Sequence, residues 1–149
     1  MKRFLLLFLL IGTMPVLAQT KTLINLDKQG VALQGYDPVA FFIDGRPVKG
    51  QAQFESKFNG AHYFFASAEN KATFDATPAK YEPQFGGFCA YAASEGHTAP
   101  VKVDAFMIVN QRLLMQYDQD VKKKFQQDPQ GRLAKADKNW PSLVQKYGH

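Results

Sequence analysis

The middle of the chain reads Pro83-Gln84-Phe85-Gly86-Gly87-Phe88-Cys89-Ala90-Tyr91-Ala92-Ala93 and contains the only cysteine. Two consecutive glycines allow the backbone to turn sharply or to approach another group closely. Apolar residues then follow at the i, i+3, i+4 and i+7 spacing of one helix face. We therefore predict a tight turn at Gly86-Gly87, a short helix after it, and a left-handed C-cap at Gly96.

Cys89 lies in or near the first turn of this predicted helix, where the helix dipole favours a thiolate. One interpretation is a functional pocket beside the thiol. The other is a small apolar side chain packed between Phe85 and Ala92, since free cysteine is among the most buried residue types. A redox-active thiol is a third, weaker interpretation, because no Cys-x-x-Cys motif accompanies it.

The pocket interpretation names specific residues. The candidate ligand-binding residues are Tyr36, Gly86, Gly87 and Tyr91. The candidate metal ligands are Cys89 and His97, with Met107 and Met115 as further sulfur donors, because Cu(I) prefers thiolate, thioether and imidazole. Continuous helix would hold Cys89 and His97 about 12 Å apart, so one ion can reach both only if the chain folds back after Gly96 or across two subunits.

The start of the chain predicts export. Lys2 and Arg3 precede the apolar run 4–11, which is too short to span a bilayer, and Val16-Leu17-Ala18 is a small-x-small cleavage site. We expect cleavage after Ala18, a periplasmic or secreted product, and no later membrane span. We divide the chain into a signal peptide (1–18), a lead-in (19–29) and one domain (30–149).

Charge and cysteine content narrow the function further. Removal of Lys2 and Arg3 with the signal segment leaves 16 Lys and Arg against 13 Asp and Glu. The lysines are scattered apart from Lys122-Lys123-Lys124, which is typical of the solvated face of a helix. This argues against nucleic-acid binding. An oxidising compartment permits disulfides, yet one cysteine cannot form a disulfide within the chain, so Cys89 is buried, paired between chains, or reactive.

Hairpin signals predict the β part of the fold. The clearest hairpin, 53–67, turns at Asn59-Gly60. Its register puts Phe54 opposite Phe65 and turns His62 towards solvent. The aromatic core face is Phe54, Phe58, Tyr63 and Phe65. We predict a second hairpin, 103–117, that is buried on both sides and turns at Asn110-Gln111, and a third turn at Asp44-Gly45.

Capping residues predict the helices. Asp37-Pro38 is typical of a helix start or a turn, Ser67 caps a helix over 68–76, and Asp118 caps another. The apolar stripe of the tail predicts two helices divided by Pro141. No internal repeat is visible in the sequence. The fold class is α+β, with a small antiparallel sheet of hairpins packed against several short helices in a single domain.

Several of these segments together resemble the YHS domain. They are Gly35-Tyr36-Asp37-Pro38-Val39-Ala40, the run from Asn59 to Ser67, and Phe74, Pro78 and Tyr81. The segments Gln84 to Ala92 and Ala136 to Pro141 are similar to the exported single-domain branch of that family. The resemblance implies copper-type metal binding as a loose expectation.

The resemblance also implies a departure. Metal-binding members carry cysteines that fall, on this chain, at Ala40, Ala66 and Asn70. Alanine has no donor atom and a neutral amide is a poor ligand for a soft metal, so no structural zinc is expected.

Three functional hypotheses follow from this reading. The first is an exported, non-enzymatic module that binds a metal or small ligand near Cys89. The second is a structural or interaction domain, or a homodimer, in which Cys89 is a core residue and Tyr36, Tyr91 and Tyr117 form the partner face. The third is a catalytic or redox thiol, which no histidine placed near Cys89 supports.

Overall fold

The structure is a computed structural model that describes residues 20–149. The predicted signal peptide with its cleavage site, and Gln19 after it, lie outside the described residues. Within residues 20–149, no helix combines the length and the apolar character needed to cross a membrane.

Helices and short strands alternate along residues 20–149, which confirms the predicted α+β class. The strands are β1 (Gln51–Phe58), β2 (Ala61–Phe65), β3 (Lys102–Val109) and β4 (Arg112–Gln116). The α-helices are α1 (Ala40–Ile43), α2 (Ala68–Ala76), α3 (Pro78–Tyr81), α4 (Ala90–Ser94), α5 (Gln119–Gln126) and α6 (Pro129–Tyr147). Two short 3₁₀ turns, Leu33–Gly35 and Phe85–Gly87, precede α1 and α4.

The first hairpin is confirmed except for one irregularity. β1 and β2 pair antiparallel around Asn59-Gly60, and the pairing follows the predicted register as far as Glu55. A bulge between Gln51 and Glu55 then shifts the register, so that Phe65 pairs with Gln51 and not with Phe54 as predicted. The predicted core face is nevertheless confirmed, because its aromatic residues pack in one cluster: Phe54, Phe58, Tyr63 and Phe65.

The second hairpin, β3 with β4, turns at Asn110-Gln111 as predicted. The prediction that both strands are buried on both sides holds only for β4, where Leu113 to Gln116 are all buried. Ile108 on β3 is 40% exposed. The hairpins form two separate two-stranded sheets and not one sheet.

The helix caps confirm the local predictions. The hydroxyl of Ser67 accepts a hydrogen bond from the backbone N–H of Asn70 (3.1 Å), which opens α2. The carboxylate of Asp118 does the same for the N–H of Val121 (2.9 Å), which opens α5. These side chains satisfy N–H groups that have no partner within the helix.

Two predictions about helices were wrong. Asp44-Gly45 does not connect a hairpin, because residues 40–43 form α1 and the N–H of Asp44 closes it on the carbonyl of Ala40 (2.8 Å). Pro141 does not divide the tail, because it lies inside the single helix α6. Leu133 and Leu143 are buried on either side of Pro141, so packing along the whole helix outweighs the one missing hydrogen bond.

The second hairpin and its surroundings repeat the first. β3 starts 51 residues after β1 (102 against 51), the paired strands have eight and five residues in both cases, and the bulge has the same position. The capping residues Ser67 and Asp118 keep the same spacing. Each preceding 3₁₀ turn has three consecutive residues with positive φ. We call residues 33–76 the first unit and residues 85–126 the second unit; the expectation of no repeat was wrong.

Each unit has its own core, and α6 joins the second. The first core contains Ala32, Val39, Ala61, Tyr63, Phe65, Phe74 and Tyr81. The second contains Phe85, Ala90, Ala93, Leu114, Phe125, Leu133, Ala136 and Leu143. A smaller cluster of Leu33, Phe41, Leu113 and Met115 connects the two units.

The lead-in crosses the second unit at Gly86. The N–H of Asn25 donates to the carbonyl of Gly86 (2.8 Å), and Thr22 exchanges two backbone hydrogen bonds with His149 at the end of the chain. Gly86 has φ +58°, and a Cβ there would overlap the backbone carbonyl of Leu23. The glycine is therefore required both by its conformation and by the close approach of the lead-in.

Replacement of Gly86 by alanine tests this requirement, with Gly60→Ala as the matched control. Gly60 also has positive φ (+82°), but open space surrounds its Cβ position. The control should lose about 1–2 kcal/mol of unfolding free energy from backbone strain alone. Gly86→Ala should lose about 1–3 kcal/mol more, from overpacking against Leu23. Equal losses in urea unfolding would contradict the close approach.

Candidate functional site

The most buried charged group of the described chain is the carboxylate of Asp37, whose exposure is 0%. Its Oδ1 accepts from the N–H groups of Val39 (2.8 Å) and Ala40 (3.3 Å) at the start of α1. Its Oδ2 accepts from the N–H of Ala66 (2.8 Å) after β2 and from the side-chain amide of Asn70 (2.7 Å) in α2. Four donors from three segments thus compensate the loss of water around this charge.

The three positions at which the resemblance places metal ligands all converge on this carboxylate. Ala40 and Ala66 supply backbone N–H groups, and Asn70 supplies its amide NH₂. Every one of these groups points a hydrogen at Asp37, and none offers a lone pair to a cation. The residues therefore do not fit a metal at this place, and within residues 20–149 no group of three or more His, Cys, Asp or Glu side chains is arranged to hold one.

Cys89 occupies the same place in the second unit that Asp37 occupies in the first. The backbone N–H groups of Ala92, Tyr117 and Tyr91 lower the pKa of its thiol, and they stand at the positions of Ala40, Ala66 and Val39, whose N–H groups donate to Asp37. The N–H of Tyr91 itself donates to Oε1 of Gln116 (3.1 Å). The side chain of Cys89 is 1% exposed and its Sγ donates to Oε1 of Gln116 (3.5 Å). Burial raises the pKa of the Cys89 thiol, and the backbone N–H groups lower it less. The predicted preference for a thiolate was therefore wrong, because α4 is short and the sulfur is desolvated.

The other candidate metal ligands lie in different surroundings. His97 is exposed in the loop after α4. That loop does fold back, since the carbonyl of Ala99 accepts from the N–H of Cys89 (3.0 Å), but the sulfur is turned inward to Gln116. Met107 contacts the other end of the Gln116 amide (4.0 Å), and Met115 is fully buried.

The candidate ligand-binding residues do not line one pocket. Tyr36 lies under the ammonium group of Lys49 (4.6 Å from the ring centroid), and Tyr91 lies under the guanidinium group of Arg132 (4.3 Å). The two rings pack against different clusters. Gly86 and Gly87 instead receive the lead-in, where Asn25 contacts both of their carbonyls.

A groove of about 330 Å³ lies on another side of Gly86. Its lining residues come from the lead-in, the first hairpin, the segment 82–86, β4 and α6. The lining residues are Lys21, Thr22, Leu23, Ile24, Asn59, Tyr63, Glu82, Pro83, Gln84, Phe85, Gly86, Arg112, Asp137, Trp140, Pro141 and Val144.

The apolar part of the groove surrounds Trp140, the only tryptophan of the chain. Its ring meets Phe85 edge-on, with centroids 5.7 Å apart, and leans on Phe88 at 6.5 Å. Leu23 and Trp140 both pack on the second core. These contacts fix the tryptophan ring beside the opening.

The polar part of the groove contains four charged side chains. Arg112 and Asp137 form a two-pronged ion pair (2.9 and 2.6 Å), and the Nε of Arg112 donates to Gln84 (2.8 Å). Glu82 accepts one hydrogen bond, from the amide of Asn59 (3.2 Å). Burial raises the pKa of the half-buried Glu82 carboxyl above its ordinary value. The fourth group, Lys21, is exposed at the rim and donates to the carbonyl of Gln145 (3.0 Å).

Sequence reasoning missed this groove. Its residues come from the lead-in, the first hairpin, the segment 82–86, β4 and α6, and no local pattern relates those five segments. The single tryptophan, and one glutamate within an apolar segment, were the only available signals.

Comparison with known proteins agrees with the resemblance over part of the chain. Residues 39–84 match the family model of the YHS domain. The match covers most of the first unit and stops where the second begins. The YHS domain is associated with metal binding. Searches of curated proteins and of solved structures each gave no match.

The substitution Asp37→Asn tests the role of the buried carboxylate. An asparagine cannot accept four hydrogen bonds, and a buried donor left without a partner costs about 1–3 kcal/mol, so we expect a loss of about 2–4 kcal/mol in urea unfolding. Asp118→Asn is the control, because asparagine caps a helix as well as aspartate. Two results would contradict a metal-free cross-link at Asp37. One is a loss no larger than that of Asp118→Asn, and the other is a Tm of the unmodified protein that falls when chelator is added.

Maleimide labelling tests the burial of Cys89. In the folded protein the thiol should react at least about a hundredfold more slowly than a free thiol, because reaction requires opening of the second core. In urea the rates should become equal. An accessible cysteine, Ala134→Cys in a Cys89→Ser background, is the control. Fast labelling of Cys89 in the folded protein would instead support a functional pocket beside the thiol.

Proposed function

We propose that this protein is an exported binding module whose fold needs no metal and whose groove holds a small organic molecule. The basic start, the apolar run and the cleavage site at Ala18 support export to the periplasm or outside the cell. The YHS domain supplies the scaffold, and the second unit, α6 and the lead-in build the groove beside it.

The groove itself carries the proposal. Its volume of about 330 Å³ is within the range of small-molecule sites, about 300–1,000 Å³. Apolar side chains around Trp140 and a small number of polar groups line it, which is the usual composition of a ligand pocket. The desolvated carboxyl of Glu82 is the kind of perturbed group that marks functional sites.

Metal binding near Cys89 receives less support. The sulfur is buried and hydrogen-bonded to Gln116, while His97 is exposed. Catalysis by the thiol is equally poorly supported, because the amide of Gln116 cannot accept a proton as a general base. We therefore propose that the protein binds its ligand without chemical conversion.

The proposal is tested by NMR titration of the ¹⁵N-labelled mature protein. We expect small organic fragments to shift amide signals of residues 21–24, 82–86 and 137–144, and Cu(I) to leave the spectrum unchanged. Val144→Trp, which fills the groove, should remove the fragment shifts. Gln145→Trp, on the same helix but outside the lining, should not. Amide shifts that cluster around Cys89 and His97, or stoichiometric Cu(I) binding, would contradict the proposal. The absence of shifts with every fragment would contradict it as well.

A further inference from the structure

We propose that the groove selects a small organic cation, an amine or guanidinium compound with a short apolar part. This inference rests on the proposed function, and it assigns Glu82 as the residue that determines specificity. Glu82 would form a charge-assisted hydrogen bond with the cation, while the wall around Trp140 would cover the apolar part.

The pairing of the charged side chains in the groove supports a cation, because Asp137 is paired with Arg112 while Glu82 contacts a neutral amide. The guanidinium of Arg112 forms a two-pronged ion pair with the carboxylate of Asp137, and its Nε donates to Gln84. These two charges are therefore already paired with each other. Lys21 is fixed to a backbone carbonyl at the rim. Glu82 is different, because within residues 20–149 its carboxylate has a single hydrogen-bond partner, the neutral amide of Asn59.

The burial of Glu82 strengthens the preference of the groove for a cationic ligand. The carboxylate has lost part of its water, and Tyr63, which lines the same groove, is buried. A bound cation would restore the lost favourable interactions of the carboxylate, whereas a neutral ligand would restore only one hydrogen bond. An anion would meet repulsion from Glu82.

The apolar lining of the groove limits the rest of the ligand. Trp140 is held edge-on by Phe85, and Leu23, Ile24 and Val144 complete an apolar surface around it. Such a surface accommodates a short alkyl chain or one ring. The indole face can also attract the cationic end of the ligand.

The test uses the emission of Trp140, which reports on the groove because the chain has no other tryptophan. Three probes of equal length are titrated at pH 7.5 and constant ionic strength: hexylamine, hexan-1-ol and hexanoate. We expect saturable binding of hexylamine at least about tenfold tighter than that of hexanol, and no saturable binding of hexanoate. Glu82→Gln should remove the preference for the amine, Glu82→Asp should keep it in part, and Glu69→Gln, on the exposed side of α2, should leave it unchanged.

The outcomes separate this inference from the proposed function. Equal binding of the three probes would overturn the cation. An amine preference that survives in Glu82→Gln with an unchanged Tm would overturn the role of Glu82. Either result would leave the groove as a binding site. If no probe changes the emission of Trp140, both the cation and the groove are wrong.

Discussion

One buried carboxylate organises the first unit. Asp37 ties the start of α1, the end of β2 and the first turn of α2 to a single point, and its four hydrogen bonds compensate its removal from water. Cysteine ligands and a metal ion would connect the same three segments, according to the resemblance. In this chain backbone and amide donors point at an acceptor instead, so the cross-link is made without a metal.

The second unit shows that the same arrangement can be closed by a different group. Cys89 takes the place of Asp37, and the side-chain oxygen of Gln116 accepts both from its Sγ (3.5 Å) and from the N–H of Tyr91 (3.1 Å). A neutral thiol needs less compensation than a carboxylate, and the amide of Gln116 is sufficient. This explains a lone cysteine in a chain expected to be exported, since a buried thiol is protected from oxidation. The groove forms where α6 and the lead-in meet this unit, and neither Asp37 nor Cys89 lines it.

Local chemistry made much of the fold predictable. Asn59-Gly60 fixes a hairpin through its turn type, and Ser67 and Asp118 start helices through their own side chains. The features that escaped prediction depend on distant partners. Asp37 was recognised as a capping residue, but its contacts with Ala66 and Asn70 lie about 30 residues away and leave no local pattern. The repeat was invisible because the two units share geometry while few residues coincide, and the groove combines five separate segments.

Hydrogen exchange at the amide of Ala66 tests the metal-free cross-link most directly. This N–H donates only to the carboxylate of Asp37, so its protection measures that contact alone. We expect exchange as slow as that of the core amides of β2, at a rate that a metal chelator does not change. Exchange at the rate of an exposed loop, or protection that disappears when chelator is added, would contradict the metal-free cross-link.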